Sequence, residues 1–144
     1  MVTLGPDEGE RHTARGSSMV FKATAATSGG RFSLMERTLP PGGRMPPAHR
    51  HIECLEAFFV LEGEVTFVLD GRSETRAAGW SVLVPEGGSH TFGNQGDQPA
   101  RLLVLHSPAM DGYFAELERL WSGPEPPSSA EELALMARHG MMPG

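Results

Sequence analysis

The chain has a single cysteine, Cys54, so no intramolecular disulfide can staple its fold. It also lacks any apolar run near the roughly 20 residues that a membrane helix needs. Its opening, MVTLGPDEGERHTARG, has no apolar signal-peptide core, and a cytoplasmic location is the expectation. Positive charge is scarce and scattered, with 12 Lys and Arg against 18 Asp and Glu for a net charge of -6. A nucleic-acid or anionic-membrane partner would need a basic patch or stripe, and none is present. No motif is repeated along the chain, and 144 residues suffice for one domain. A domain of that size buries about two thirds of the surface its unfolded chain exposes.

What the chain does have is two spaced clusters, Gly43, His49, His51, Glu56 and Gly63, then Gly79, Pro85, Gly87, His90 and Asn94. Three imidazoles and one carboxylate suit a first-row transition ion, while the glycines and proline mark turns. In an extended strand alternate residues share a face, so His49 and His51 point one way. The step from His51 to Glu56 is odd, and one uninterrupted strand would set the two on opposite faces. The spacing therefore predicts a turn or bulge across Ile52 to Leu55, with Glu56 opening a new strand. A carboxylate beside Ala57, Phe58, Phe59, Val60 and Leu61 is costly to bury without a partner cation.

Elsewhere the pattern is that of an all-β domain. Strands are predicted at Met19 to Ala23, Arg31 to Leu39, Val65 to Leu69, Trp80 to Val84 and Arg101 to His106, besides those carrying the motifs. Asp70-Gly71 reads as a hairpin turn, and strands this dense argue for a sandwich or barrel. Residues 1–16 read as a flexible arm, 17–109 as the barrel and 110–144 as a helical tail. In the tail, Phe114, Leu117, Leu120 and Trp121 recur at helical spacing. A second helix is announced by Ser128 and Ser129 followed by Glu131 and Glu132, with Gly140 past its end and a stripe of Leu133, Met136 and Ala137. That stripe is expected to cover the barrel or a partner subunit.

Both clusters resemble the two motifs of the cupin superfamily at every motif position, with the full ligand set and a short 15-residue spacer from Glu64 to Ala78. The flanking runs, from the Pro40-Pro41-Gly42-Gly43 turn through HRHIECLEAFFVLEGEVTFVLDG and on to RLLVLHSPAMDGYFAEL, are most similar to single-domain quercetin 2,3-dioxygenase-like cupins. The resemblance implies a double-stranded β-helix, or jelly-roll barrel, with one or two C-terminal helices. It implies one divalent ion (Mn, Fe, Co, Ni, Cu or Zn) on His49, His51, Glu56 and His90, and a homodimer. The implied activity is that of a dioxygenase acting on a small aromatic or enol-bearing, flavonol-like compound, with dioxygen as co-substrate. Glu56 would then be both ligand and catalytic base.

Met45, Phe58, Val60 and Phe92 are candidates for the substrate wall, with plain barrel core as the alternative. His106 either reaches the cavity or packs against the tail helix. For His12, His139, Cys54 and Glu53 the ordinary roles are expected: surface or hydrogen-bonded histidines, a loop thiol and a solvated carboxylate. Two other functions use the same ligands. One is a Lewis-acid isomerase, lyase or hydrolase, and the other a metal-dependent small-molecule-binding protein without turnover.

Overall fold

The computed structural model describes residues 1–144. Short alternating segments punctuated by turn residues form β1 (Glu10–Ala14), β2 (Ser17–Ala23), helix α1 (Ala25–Ser28), β3 (Ser33–Leu39), β4 (His49–His51) and β5 (Leu55–Glu62). Then follow β6 (Glu64–Leu69), β7 (Arg72–Ala77), β8 (Ser81–Val84), β9 (His90–Gly93), β10 (Ala100–Ser107), α2 (Asp111–Trp121), α3 (Ser129–Arg138) and β11 (Met141–Pro143). A six-stranded sheet runs β1-β2-β3-β10-β5-β8, and a five-stranded sheet runs β11-β4-β9-β6-β7. All the pairings are antiparallel, and two such sheets face to face make a jelly roll. No helix is long and apolar enough to cross a membrane.

The inward faces of the two sheets make the core. Phe58 of β5 meets Phe67 of β6 and Phe92 of β9 at ring-centroid distances of 5.2 and 4.9 Å, and Val60, Val65, Leu102 and Val104 fill in around them. Burying each such side chain stabilises the fold by about 1.5–3 kcal/mol. At one end of this core the two sheets carry polar side chains instead, and there the tail folds back over them. Tyr113, Phe114 and Leu117 of α2 and Leu135 and Met136 of α3 are buried against the barrel.

The first motif ends at Gly63, which turns β5 into β6 with φ at 72°. A Cβ at this position would stand 2.7 Å from the carbonyl oxygen of Pro99, closer than packing allows. Both the left-handed backbone and the close approach call for glycine. Gly63→Ala is expected to destabilise the protein by about 1–3 kcal/mol in urea unfolding, and an unchanged midpoint would contradict that reading.

Three features depart from the sequence expectations. Residues 10–14, within the segment expected to be a flexible arm, form β1 in full register with β2. The tail ends in a strand, β11, that pairs with β4. The buried face of α3 is Glu132, Leu135 and Met136, rotated from the expected stripe, with Leu133 half-buried and Ala137 exposed.

His12 ties β1 to α2 through a 2.7 Å contact from Nδ1 to Glu118. Burial pushes its imidazole down, but hydrogen bonds to Glu118 and Glu10 outweigh this and hold it above its ordinary 6.5. A raised folded-state value means stability that is fully present below 6.5 and lost as pH rises through the folded value. Thus the melting-temperature gap between wild type and Glu118→Gln should narrow as pH is raised above neutrality. A gap that widens there would contradict the pairing.

Candidate metal centre

The break predicted between His51 and Glu56 is where the chain leaves one sheet for the other. β4 lies in the five-stranded sheet and β5 in the six-stranded sheet, with residues 52–54 as the crossing. The odd spacing therefore leaves Glu56 facing His51 across the barrel interior. His90 is brought in by β9, directly opposite His49 in register. The turn Pro85 to Gly88 is tied to the first motif by a 2.7 Å hydrogen bond from Gly87 N to His51 O.

All four side chains are buried, and one ligand atom from each of His49, His51, Glu56 and His90 lies within 4.8 Å of the others. Glu56 Oε2 is 2.6 Å from His90 Nε2 and 2.9 Å from His51 Nε2. Neighbouring ligands of an ion bonded at about 2.0–2.2 Å sit about 3 Å apart and opposed ones about 4 Å apart, so a small inward adjustment of the widest pair brings the set onto a first-row divalent ion. The tautomers fit as well. His49 Nδ1 is 2.8 Å from Pro47 O and His90 Nδ1 is 3.2 Å from Gly88 O, so each Nδ1–H donates to a backbone carbonyl and Nε2 is the nitrogen left to face an ion. Neither ring nitrogen of the buried His51 makes an aligned hydrogen bond, although Nε2 lies 2.9 Å from Glu56 Oε2. A buried imidazole with a nitrogen left over in this way could hold a metal.

The charge states follow from burial and from Glu56. Burial, followed by repulsion from His90, lowers His49 to about 3, so it is a neutral imidazole. Burial pushes the Glu56 carboxyl up, but His106, His51 and His90 outweigh it and hold Glu56 well below the usual carboxylate range. For His90, burial lowers and contact with Glu56 raises, with a net rise.

His106 completes the cluster. It faces Glu56 in the β10–β5 register, and its Nε2 is 3.0 Å from Glu56 Oε1. Its ring also packs on Phe114 at 5.5 Å, so both roles considered from the sequence hold at once. Beside this cluster lies a cavity of about 20 Å³, lined by His49, His51, Glu56, Phe92, His106 and Arg37 among others, and roofed by Tyr113, Phe114, Met136 and Met141 of the tail. Of the wall candidates, Phe92 lines it. Phe58 and Val60 lie beneath it in the core, with Phe58 against His90 at 6.1 Å, and Met45 is half-buried against Gly93.

Cys54 is a buried free thiol in the crossing. His139 contacts Glu116 on the tail surface.

The polar residues that the sequence reading passed over are Arg15, Arg37 and Glu132. Arg37 had one readable signal, since it falls between Met35 and Leu39 in the inward phase of β3. The other two depend on contacts far apart in sequence.

A family profile described as a cupin domain matches residues 35–106. Among curated proteins, the Myxococcus xanthus protein named endoribonuclease YbeY is 32% identical over 116 residues, covering 81% of this chain and 38% of that one. The Streptomyces cyaneus polyketide synthase CurC is 29% identical over 99 residues, covering 69% of this chain and 64% of that one. The chain thus spans less than two thirds of the length of either relative. Among solved structures, a sugar phosphate isomerase of the cupin superfamily from Silicibacter pomeroyi is 26% identical with a TM-score of 0.63, covering 74% of this chain and 75% of that one. The polyketide cyclase RemF from Streptomyces resistomycificus is also 26% identical, with a TM-score of 0.65 and coverage of 74% and 79%.

Proposed function

Because this chain belongs to the cupin domain family, we propose that it is a metal-dependent enzyme that moves a proton on a small enol- or carbonyl-bearing substrate. The observation that carries this reading is the placement of Glu56, one oxygen on ligand histidines and the other on His106. His49, His51, Glu56 and His90 would hold the ion, which when bound would supply Lewis acidity to a substrate oxygen. Glu56 accepts the substrate proton, being a carboxylate within reach of the cavity. His106 orients that carboxylate through Oε1 and steadies its charge. Phe92, Phe114 and Met136 keep bulk water from the reacting atoms.

The cavity holds about one water molecule, so a three-ring flavonol does not fit while the tail is in place. A smaller substrate displaces less of the tail, which favours proton transfer on a compact molecule over the flavonol-cleaving reaction implied by the sequence resemblance. Two relatives that the chain covers well in structure, named as an isomerase and a cyclase, support the same direction. The endoribonuclease name is not carried over, since most of that protein lies outside the match.

The homodimer also stands as a proposal, supported by edge strand β8 with Leu83 exposed beside Phe59 and Trp80, and light scattering of the purified protein tests it. The test of function is turnover of hydroxyketones, diketones, catechols and flavonols by protein reconstituted with Mn, Fe, Co or Ni, under air and under nitrogen. Product formation under nitrogen is expected. Consumption of one dioxygen per product would replace the reading with a dioxygenase.

A further inference from the structure

Arg37 is 3% exposed and points into the barrel, yet no carboxylate is bonded to it. Its one hydrogen bond runs from Nε to Ser17 Oγ at 3.0 Å, and its guanidinium lies 5.2 Å over the Phe92 ring. Burial and the neighbouring Arg15 pull it down to about 9. Arg15 is equally deep. Its Nε donates to Glu132 at 2.9 Å, while one of its terminal nitrogens, Nη2, is buried without a partner. Glu132 is the nearby buried carboxylate, and it is already shared with Trp121 Nε1 at 2.6 Å. Glu56, the other, is surrounded by histidines. Arg37 is therefore a buried cation with no carboxylate bonded to it, and Arg15 keeps an unpaired Nη2 beside it. A buried cation without a partner is costly, and proteins keep one where a ligand completes the pair.

Both arginines line the cavity at the metal centre, and both also line an adjoining void of about 10 Å³ beside Pro46 and Phe92. With Nε committed to Ser17, the fork left on Arg37 is its two terminal nitrogens, which match a planar carboxylate. A phosphate carries oxygens beyond the two that one planar fork engages, and they would call for further donors. We propose that Arg37, backed by Arg15, docks the carboxylate of a small organic acid whose other end faces His49, His51, Glu56 and His90. The inference rests on the proposed function for what happens at that other end. The carboxylate site itself needs no metal.

The test is calorimetric titration of acetate and malonate, with acetamide and malonamide as neutral shapes, into metal-stripped and metal-loaded wild type, Arg37→Lys and Arg37→Met. The acids are expected to bind stripped wild type and the amides not to. Arg37→Met should weaken acid binding at least about tenfold at unchanged metal content, as loss of a charge-assisted pair implies. Arg37→Lys keeps the charge and loses the fork, so it should fall between the two, and it carries the comparison if Arg37→Met does not fold. Several results would overturn the inference: no acid binding by wild type in either state, equal binding of acids and amides, wild-type affinity in the folded arginine variants, or inorganic phosphate bound as well as malonate. Acid binding by a wild type that takes up no metal would leave this inference standing and remove the proposed function instead.

Discussion

His90→Ala is expected to lose metal affinity by at least about 100-fold and to purify with less than about a tenth of the wild-type metal content, while remaining folded. His90 supplies a buried Nε2 whose tautomer is set by Gly88 and whose partner is Glu56. Removing it leaves a hole in the ligand ring that neither His49 nor His51 can fill from β4. The fold does not hang on the same residue. Phe58, Phe67, Phe92, Val60 and Leu102 pack below the site, and their contacts with one another are untouched. Plasma mass spectrometry of the purified variant, with far-ultraviolet circular dichroism alongside, checks both halves. An unfolded variant would show a structural site, and a full metal load would show that His90 is not a ligand.

The second large effect is on turnover. Glu56→Gln should retain measurable metal and lose about 10²–10⁴ of the rate, the range general-base catalysis supplies. The amide oxygen can still approach an ion, but the amide cannot take up a proton. It also removes the charge against which His51, His90 and His106 are gathered. Steady-state kinetics at matched metal occupancy is the measurement. Wild-type turnover in the variant would remove Glu56 from the proton path and leave it a ligand alone.

The convergence of His49, His51, Glu56 and His90 was readable because its signals are local. Period-two alternation and the odd step from His51 to Glu56 demanded a break, and the structure puts a change of sheet there. The two tail helices were readable for the same reason, the Ser128 to Glu131 capping box being present. What escaped notice depends on partners distant in sequence. β1 is a short polar strand, ERHTA, that makes sense only beside β2, and β11 is three residues long and exists through its pairing with β4. Glu132 is wholly buried although its helix position looks like a solvated first turn, because Arg15 and Trp121 reach it from elsewhere. Arg37 was legible in phase but not in meaning, since a charged residue at an inward position declares its purpose only once the cavity is seen.

The decisive experiment is anomalous diffraction at the cobalt or manganese edge from crystals of the reconstituted protein. One peak per chain is expected, within bonding distance of Nε2 of His49, His51 and His90 and of a Glu56 carboxylate oxygen. No peak there, or a peak held by surface carboxylates instead, would contradict the metal centre and with it the chemistry assigned to this barrel.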